Sequence, residues 1–327
     1  MKKTEWLAWT SLAIICIVWG TTYLVLRVGV ESVPPFLFTG MRQIMAGLIL
    51  GGAMLLFYGN RLPDFRTLVR HAIVGFFMIS IGNGAVGWGE MYVSSSIAAI
   101  ICSLMPLWII LINLAYGKGD KIDGQILLGV LLGFGGLMLI FGDGLSDFAN
   151  GEYTMGIVVI FLATISWAGG TIYLRSFKKN GTPLLDAALQ MFFGGFFLLV
   201  ASALTEDAST AQWHGESIFA LFYLTFLGSV VAYGAYSYVL TKLPTPVVSL
   251  YAYINPVVAV ILGWLILDEK LNAAILFGCV VIVAGVYIVN TGYRKQEMRR
   301  IIELQTPVAP ALQPIPQKAP KRPLWFR

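Results

Sequence analysis

The chain has 327 residues, of which 57% are hydrophobic and only 12% are charged, and its formal net charge is +5. A soluble domain carries about twice that charged fraction, so much of the apolar surface must face something other than water. The composition therefore excludes an ordinary soluble domain and indicates an integral membrane protein.

Apolar segments of about 20 residues, the length that crosses a bilayer, recur along the whole chain. No cleavable signal peptide is predicted, because the first segment is too long for one and no small-residue cleavage site follows it. Short breaks rich in Pro, Gly, Asn and charged residues separate the segments. In chain order the predicted spans are 6–28, 34–58, 70–89, 95–116, 124–141, 155–175, 184–204, 217–240, 246–267 and 271–291.

The basic residues predict the orientation of these spans, because Lys and Arg collect on the cytoplasmic side of a membrane. With the N-terminus inside, only Arg27, Arg42 and Lys270 of the 22 Lys and Arg residues fall in the membrane or in outer loops. The loops 142–154 and 205–216 are acidic, as expected outside. Both termini are predicted to be cytoplasmic, and the short loops favour a bacterial inner membrane. The positive charge follows from this topology, so no nucleic-acid partner is expected.

The chain also resembles itself at a constant shift of 150 residues: GTTYL at 20–24 overlies GTIYL at 170–174, and Pro106 overlies Pro256. Each half has five spans, an odd number, so the second half enters the membrane from the opposite face. Such inverted repeats are typical of carriers that work by alternating access around a central site. The prolines predict helix kinks whose freed carbonyls line a cavity, with kinks used only for packing as the alternative.

The expected units follow from this repeat. Residues 1–142 and 143–293 are predicted to be two five-helix halves, and 294–327 a basic, Pro-rich and disordered cytoplasmic tail.

Several motifs lie inside the predicted spans. They are Trp19-Gly20-Thr21-Thr22-Tyr23, Val33-Pro34-Pro35 with Arg42, Gly82-Asn83-Gly84, Ser96-Ile97-Ala98-Ala99 with Pro106, Ser166-Trp167-Ala168, and the run from Tyr253 to Gly263 followed by Asp268-Glu269. With these motifs, residues 6–291 resemble the EamA-type members of the drug/metabolite transporter superfamily. The resemblance implies an all-α membrane protein of ten transmembrane helices in two inverted repeats (5+5), a central cavity and export of amino acids or other metabolites. Ser96 and Asp268 stand where the family usually has Gly, and neither departure affects the expected fold.

Polar and aromatic side chains inside the spans are the candidates for substrate binding, because polar groups within a bilayer face a cavity or a partner. Arg42 either binds a substrate carboxylate or has a structural role, in which it pairs with Glu31 or Glu90 or caps backbone carbonyls. The aromatic residues either wall a cavity or belong to an interfacial belt. The substrate-binding candidates are Trp19, Tyr23, Arg42, Asn83, Trp88, Trp167, Tyr233, Tyr253 and Asn255.

Glu90 closes the third predicted span and is the candidate for proton coupling, with an interfacial anchor as the alternative. No catalytic or metal site is predicted. His71 and His214 are the only histidines and fall at span ends on opposite faces, and GxSxG and HExxH motifs are absent from the sequence. The three cysteines show no metal-binding spacing.

The sequence thus predicts a secondary transporter without a cofactor, and direct use of ATP is not expected because no Walker motif occurs. Small metabolites, amino acids or related compounds above all, are the expected cargo. The alternatives are an exporter of toxic aromatic or cationic compounds and a non-transporting membrane scaffold. The expected partners are the substrate, the lipid bilayer and protons as a candidate coupling ion, and the expected state is a monomer or a weak homo-oligomer.

Overall fold

The structure is a computed structural model that describes residues 3–115, 124–142, 150–177, 182–243 and 251–305. Across those ranges the regular structure is helical, and no strand occurs in them. Seven continuous helical stretches among the described residues are long and apolar enough to cross a membrane, two of which contain a π-helical segment, and shorter apolar helices lie between them. The prediction of an all-helical membrane protein is confirmed, while the ten-span inverted topology stays a prediction.

The helices take their names from chain order, and two of the predicted spans pass through π-helical segments. They are α1 (Lys3–Val30), α2 (Pro35–Leu56), α3 (Phe65–Gly75), the segment π1 (Phe76–Asn83), α4 (Gly84–Gly89), α5 (Ser95–Cys102), α6 (Met105–Ala115), α7 (Gly124–Gly142), α8 (Gly151–Arg175), α9 (Pro183–Thr205), α10 (Gly215–Tyr223), the segment π2 (Leu224–Val231), α11 (Ala232–Lys242), α12 (Tyr251–Leu267) and α13 (Ala273–Gln305).

Local sequence explains where several helices begin. Pro35 and Pro183 open α2 and α9, where a missing N–H costs nothing because the first N–H groups of a helix have no intrahelical acceptor. The Ser94 hydroxyl accepts the N–H of Ile97 at the start of α5, and the Asn150 side chain caps α8 in the same way. These starts agree with the breaks that the sequence predicts.

Two antiparallel helix pairs make close backbone contacts through glycine. In the α2–α9 pair, a Cβ added at Gly47 would lie 2.7 Å from the Phe192 nitrogen. In the α7–α13 pair, a Cβ at Gly129 would lie 2.6 Å from the Gly285 oxygen. Small residues of this kind let membrane helices approach closely. In both pairs, each helix packs against the helix that overlies it at the 150-residue shift.

The segments π1 and π2 fall at corresponding places in the two halves, in the third and the eighth predicted spans. The N–H of Gly84 bonds to Ile79 and that of Ala232 to Leu227, one residue further back than in an α-helix. Such π-helical turns often occur at functional sites because they redirect side chains and backbone carbonyls.

The two matched prolines occupy different positions in their helices. Pro256 lies inside α12, with helical residues on both sides. Pro106 is instead the second residue of α6, directly after a break at Ser103 and Leu104 that separates α5 from α6. Proline is compatible with the first turn of a helix, and the fourth predicted span is therefore two short helices and not one bent helix.

Helix α13 extends beyond the predicted start of the tail and ends at Gln305. Residues 294–305 contain good helix formers and no proline, which accounts for the helical backbone there. The rest of the predicted tail, 306–327, lies outside the described residues.

Candidate functional site

A cavity of about 190 Å³ lies between helices of the two halves. Seven of the nine predicted substrate-binding residues line it: Trp19, Tyr23, Arg42, Asn83, Trp167, Tyr233 and Asn255. Further lining residues that the sequence analysis did not select include Thr22, Gln43, Cys102, Thr164, Ser229 and Tyr251. Both π-helical segments contribute, through Gly82 and Asn83 in π1 and through Gly228 and Ser229 in π2.

Two predicted residues are not placed in the cavity. Trp88 lies in a separate hollow with Glu31 and Glu206, and its ring centroid is 4.9 Å from that of Tyr92. The side chain of Tyr253 lies outside the described part of the structure.

Trp19 forms one wall of the cavity and contacts several neighbouring side chains. Its ring packs against Tyr233, Tyr236 and Tyr251, with centroid distances of 5.7, 5.4 and 4.9 Å. Its indole N–H donates to the backbone oxygen of Gly228 in π2, 3.1 Å away. In the other half the Ser166 hydroxyl of α8 donates to the Phe77 oxygen of π1, 2.8 Å away. In each case a side chain on the first helix of one half binds a π-helical segment of the other half.

Asn255 lines the cavity and also links two helices. With its amide oriented to satisfy its hydrogen bonds, the nitrogen donates to the Cys16 oxygen at 3.1 Å and to the Tyr251 oxygen at 2.9 Å. Orientation of an amide is assigned from such a network. Asn255 therefore joins α12 to α1 next to the proline at position 256.

Arg42 is the charged residue of the cavity wall. Its side chain is buried, with only 6% of the residue exposed, and its Nε has no hydrogen-bond partner. Within the described ranges no carboxylate oxygen, of Glu31, Glu90 or another residue, lies within 4.0 Å of its guanidinium, and the guanidinium makes no hydrogen bond to a backbone carbonyl. Glu31 pairs instead with Arg27, with 3.3 Å between Oε1 and Nε.

Glu90 lies at the end of α4, next to the cavity but not on its wall. It is fully buried, and neither carboxylate oxygen has a hydrogen-bond partner among the described residues. The nearby charged side chains are Arg27, Arg42 and Glu269. Arg27 donates to the backbone oxygen of Glu90 and not to its carboxylate. An acid in this position has few ways to remain charged, because a buried unpaired charge is costly.

At one end of the bundle, called here the Val30 end because α1 ends there, two carboxylates of the second half bind helix starts of the first half. Glu206 accepts the N–H groups of Phe36 and Leu37 at 2.8 and 2.9 Å. Glu269 accepts the N–H and O–H of Ser95, both at 2.7 Å, and those of Ser96. A carboxylate at a helix start satisfies free N–H groups and interacts favourably with the helix dipole. These contacts join the two halves at the Val30 end.

At the opposite end, called the Lys3 end because α1 begins there, the halves meet through a buried cluster. His71 Nε2 of α3 lies 3.2 Å from Asp186 Oδ1 of α9, and the side chains are 2% and 8% exposed. Gln190 Nε2 is 3.4 Å from His71 Nδ1. His71 was expected only at a span end, and the structure places it in a buried polar contact between the halves.

Comparison with known proteins agrees with this architecture. The family model of the EamA-like transporter family matches residues 6–142 and 154–291. The chain is 33% identical over 284 residues to the inner membrane transporter YedA of Escherichia coli K12, covering 86% of this chain and 90% of YedA.

Two further comparisons extend this picture. The chain is 24% identical over 291 residues to a protein of the same strain named "Probable amino-acid metabolite efflux pump", covering 86% of this chain and 94% of that protein. A crystal structure that is 20% identical shares the fold with a TM-score of 0.61, covering 89% of this chain and 98% of that one. The two matched stretches span most of the chain, and the chain belongs to the EamA-like transporter family.

Proposed function

We propose that the chain is a secondary carrier that exports small metabolites, amino acids or related compounds, across a bacterial inner membrane by alternating access. The observation that carries the proposal is the central cavity, which has aromatic walls and an unpaired Arg42 and which both halves enclose. Carriers place their substrate site in this way, between two repeats and near the middle of the membrane. The names of YedA and of the efflux pump support the location and the cargo class.

The proposed frame is ten spans in two inverted five-helix halves, 1–142 and 143–293, with both termini cytoplasmic. The antiparallel pairing of α2 with α9 and of α7 with α13 supports it, because inverted copies of one helix must run in opposite directions. The family model supports it too, since it matches two separate stretches of the chain. In this orientation the Val30 end is the outer face.

Alternating access requires that the contacts at the Val30 end break during the cycle. The Glu206 and Glu269 hydrogen bonds join the two halves there, so the described conformation corresponds to a state closed towards the outside. Opening would separate these carboxylates from the starts of α2 and α5. The buried His71–Asp186 contact joins the halves at the Lys3 end in the same conformation, so opening towards the inside would break it while the Val30-end contacts stay formed.

Glu90 is the proposed coupling residue. Its carboxylate is fully buried and unpaired within the described structure, and it lies near Tyr23 and Cys102 of the cavity wall. A carboxyl group in this position can take up a proton in one conformation and release it in another. Proton exchange for substrate would then drive export.

Export of toxic aromatic compounds is a second candidate, because Trp19, Trp167 and Tyr233 provide aromatic surface in the cavity. Export of cations fits the site less well. The charged lining residue among those described is Arg42, which repels a cationic ligand.

Counterflow tests the proposal. Vesicles that contain the purified full-length chain are preloaded with one unlabelled amino acid or metabolite at a time, and uptake of the labelled compound is followed. Transient accumulation is expected for part of the panel, with loss in Trp19→Ala and near-normal rates in Trp88→Ala, whose side chain lies outside the cavity. Flat traces for every compound from a folded protein would exclude a carrier of such metabolites.

A further inference from the structure

The described cavity wall has one sign of charge. Arg42 is its charged residue, and no Asp or Glu is among the lining residues that the structure describes. The other polar groups of the wall are neutral hydroxyls and amides. A ligand in this cavity therefore meets a positive field in a low-dielectric site, where charge selection is strong.

Among the described residues, no Asp or Glu side chain lies within ion-pair distance of this cation. Within the described ranges, Arg42 makes no hydrogen bond or ion pair, although it is only 6% exposed. Glu31 is paired with Arg27, and the Glu206 carboxylate is bound to the start of α2. Glu90 interacts with Arg42 electrostatically, but no Glu90 oxygen comes within hydrogen-bonding distance of any described group. Buried charges in proteins are normally paired, so this arrangement fits an anion supplied from outside.

A second unpartnered group lies beside it. The side-chain oxygen of Gln43, the next residue of α2, is buried without a donor, and Gln43 also lines the cavity. A buried acceptor without a donor costs free energy until a ligand provides one. Arg42 and Gln43 together therefore offer donors to a carboxylate and an acceptor to a neighbouring N–H or O–H group.

The rest of the cavity wall restricts the size and polarity of the ligand beyond its carboxylate. Trp19, Trp167 and Tyr233 provide aromatic surface, and the volume is about 190 Å³. A dry cavity of about 150 Å³ already admits benzene, so a single ring or a branched aliphatic group fits here.

Resting on the proposed carrier function, we propose that Arg42 is the anchor for a substrate carboxylate, and that the cavity takes compact carboxylates with one apolar or aromatic group. Arg binds a carboxylate through parallel N–H donors, which Lys cannot reproduce. Amines that lack a carboxylate are excluded, because their charge opposes that of Arg42. The carboxylate is the required group, and an α-amino group adds only the contact with Gln43.

The test uses four compounds with the same ring: phenylalanine, 3-phenylpropionate, phenylalaninamide and phenethylamine. Binding to the purified full-length chain is followed by tryptophan fluorescence, since Trp19 and Trp167 line the cavity. The variants are Arg42→Gln and Arg42→Lys, with Arg66→Gln as the matched control that removes an exposed charge at the Lys3 end. Circular dichroism and gel filtration check folding, and Arg42→Lys keeps the test valid if Arg42→Gln does not fold.

Phenylalanine and 3-phenylpropionate are expected to bind, and phenylalaninamide and phenethylamine to bind at least about tenfold more weakly. Arg42→Gln should lose about tenfold to hundredfold in affinity for both carboxylates, the range for a charged hydrogen bond. The affinity of Arg42→Lys for both carboxylates should lie between those of the wild type and Arg42→Gln, and the affinity of Arg66→Gln should match that of the wild type. Equal binding of the amines, unchanged carboxylate binding in a folded Arg42 variant, or no binding of either carboxylate would each overturn the assignment.

Counterflow with the same compounds separates this inference from the carrier proposal. Transport that continues in Arg42→Gln with unchanged preference would leave a carrier whose substrate is not anchored by Arg42. If carboxylates bind in a way that depends on Arg42 but no counterflow occurs, the role of Arg42 is supported and the carrier proposal is rejected.

Discussion

The carboxylate of Glu269 accepts both the N–H and the O–H of Ser95, each at 2.7 Å. Glu269 is the second residue after α12 of the second half, and Ser95 opens α5 of the first half. The cap of one helix is thus provided by the other half of the protein, and the cap breaks whenever the halves separate at the Val30 end. This relationship makes the closed state sensitive to one side chain.

We expect Glu269→Gln to weaken closure of the Val30 end, because an amide is a weaker acceptor than a carboxylate and does not interact with the helix dipole as a charge. The readout is alkylation of Cys102, which lines the cavity, by a membrane-impermeant thiol reagent added outside. The background replaces the buried Cys16 and Cys279 with Ala. Faster alkylation is expected in Glu269→Gln but not in Glu216→Gln, an exposed acid in the first turn of α10. Equal rates in all three proteins would contradict a role in closure.

Asp268 is the described non-glycine residue with a positive φ, 51°, where the chain leaves α12. The left-handed region costs a non-glycine residue about 1–2 kcal/mol, although Asp tolerates it better than most. Asp268→Gly is expected to keep or raise the free energy of unfolding by up to about 1 kcal/mol. Asp268→Val is expected to lower it, since β-branched residues are rare there. Unfolding in mixed micelles measures both, and a more stable Val variant would refute the explanation.

The α2–α9 contact predicts a difference between two glycines of one helix. A Cβ at Gly47 would lie 2.7 Å from the Phe192 nitrogen, whereas nothing lies within 4 Å of one at Gly52. Gly47→Ala is expected to lower the free energy of unfolding by about 1–3 kcal/mol, the usual range for overpacking. Gly52→Ala is the matched control and should be neutral or slightly stabilising. Similar losses in both would show that the close contact is not the cause.

The buried contact at the Lys3 end predicts a loss of stability. Asp186→Ala removes the partner of His71 and leaves a buried polar ring with one contact fewer. Removing a hydrogen-bond partner from a buried polar group in this way costs about 1–3 kcal/mol. A large drop in melting temperature is expected, while Glu216→Ala should change it little. An unchanged melting temperature for Asp186→Ala would mean that the pair contributes nothing.

Glu90→Gln tests the proposed coupling. The titratable and charged side chains that act on Glu90 or are acted on by it are Arg27, Arg42, Glu269, Tyr23 and Cys102. If Glu90 is the residue that exchanges protons, counterflow should continue in Glu90→Gln, while uptake driven by a pH gradient should be lost. Gradient-driven uptake at the wild-type rate in Glu90→Gln would assign coupling elsewhere.

The sequence predicted much of the cavity because its signals are local. Trp19, Trp167 and Asn255 fall mid-span within recognisable motifs, and burial of polar or bulky groups at that depth has few explanations. The same argument predicts Trp88 as a cavity residue, but Trp88 lies near the end of α4 and faces a hollow at the Val30 end. A tryptophan in the middle of a span lines the cavity, whereas one a few residues nearer the end of the span does not. The composition of a span does not fix its ends to within those few residues.

Other features depend on contacts distant in sequence and left no local pattern. Glu269 is separated from Ser95 by 174 residues, and Gln190 from His71 by 119. The π-helical segments give no signal in composition or periodicity, yet they bring Gly82 and Ser229 to the cavity. The family usually has Gly at the position of Asp268, directly before Glu269. This preference is the one sequence signal for the positive φ that the structure shows there.

Accessibility of Cys102 from the two sides of the membrane tests the central claim most directly. In vesicles of known orientation, with Cys16→Ala and Cys279→Ala, an impermeant thiol reagent is added either outside or inside, with and without a transported substrate. Alternating access predicts that Cys102 reacts from both sides, more slowly from the side that the Val30 end closes, and that the same substrate protects it from both. Reaction from one side only, under every condition and with no substrate protection, would contradict a carrier built around this cavity.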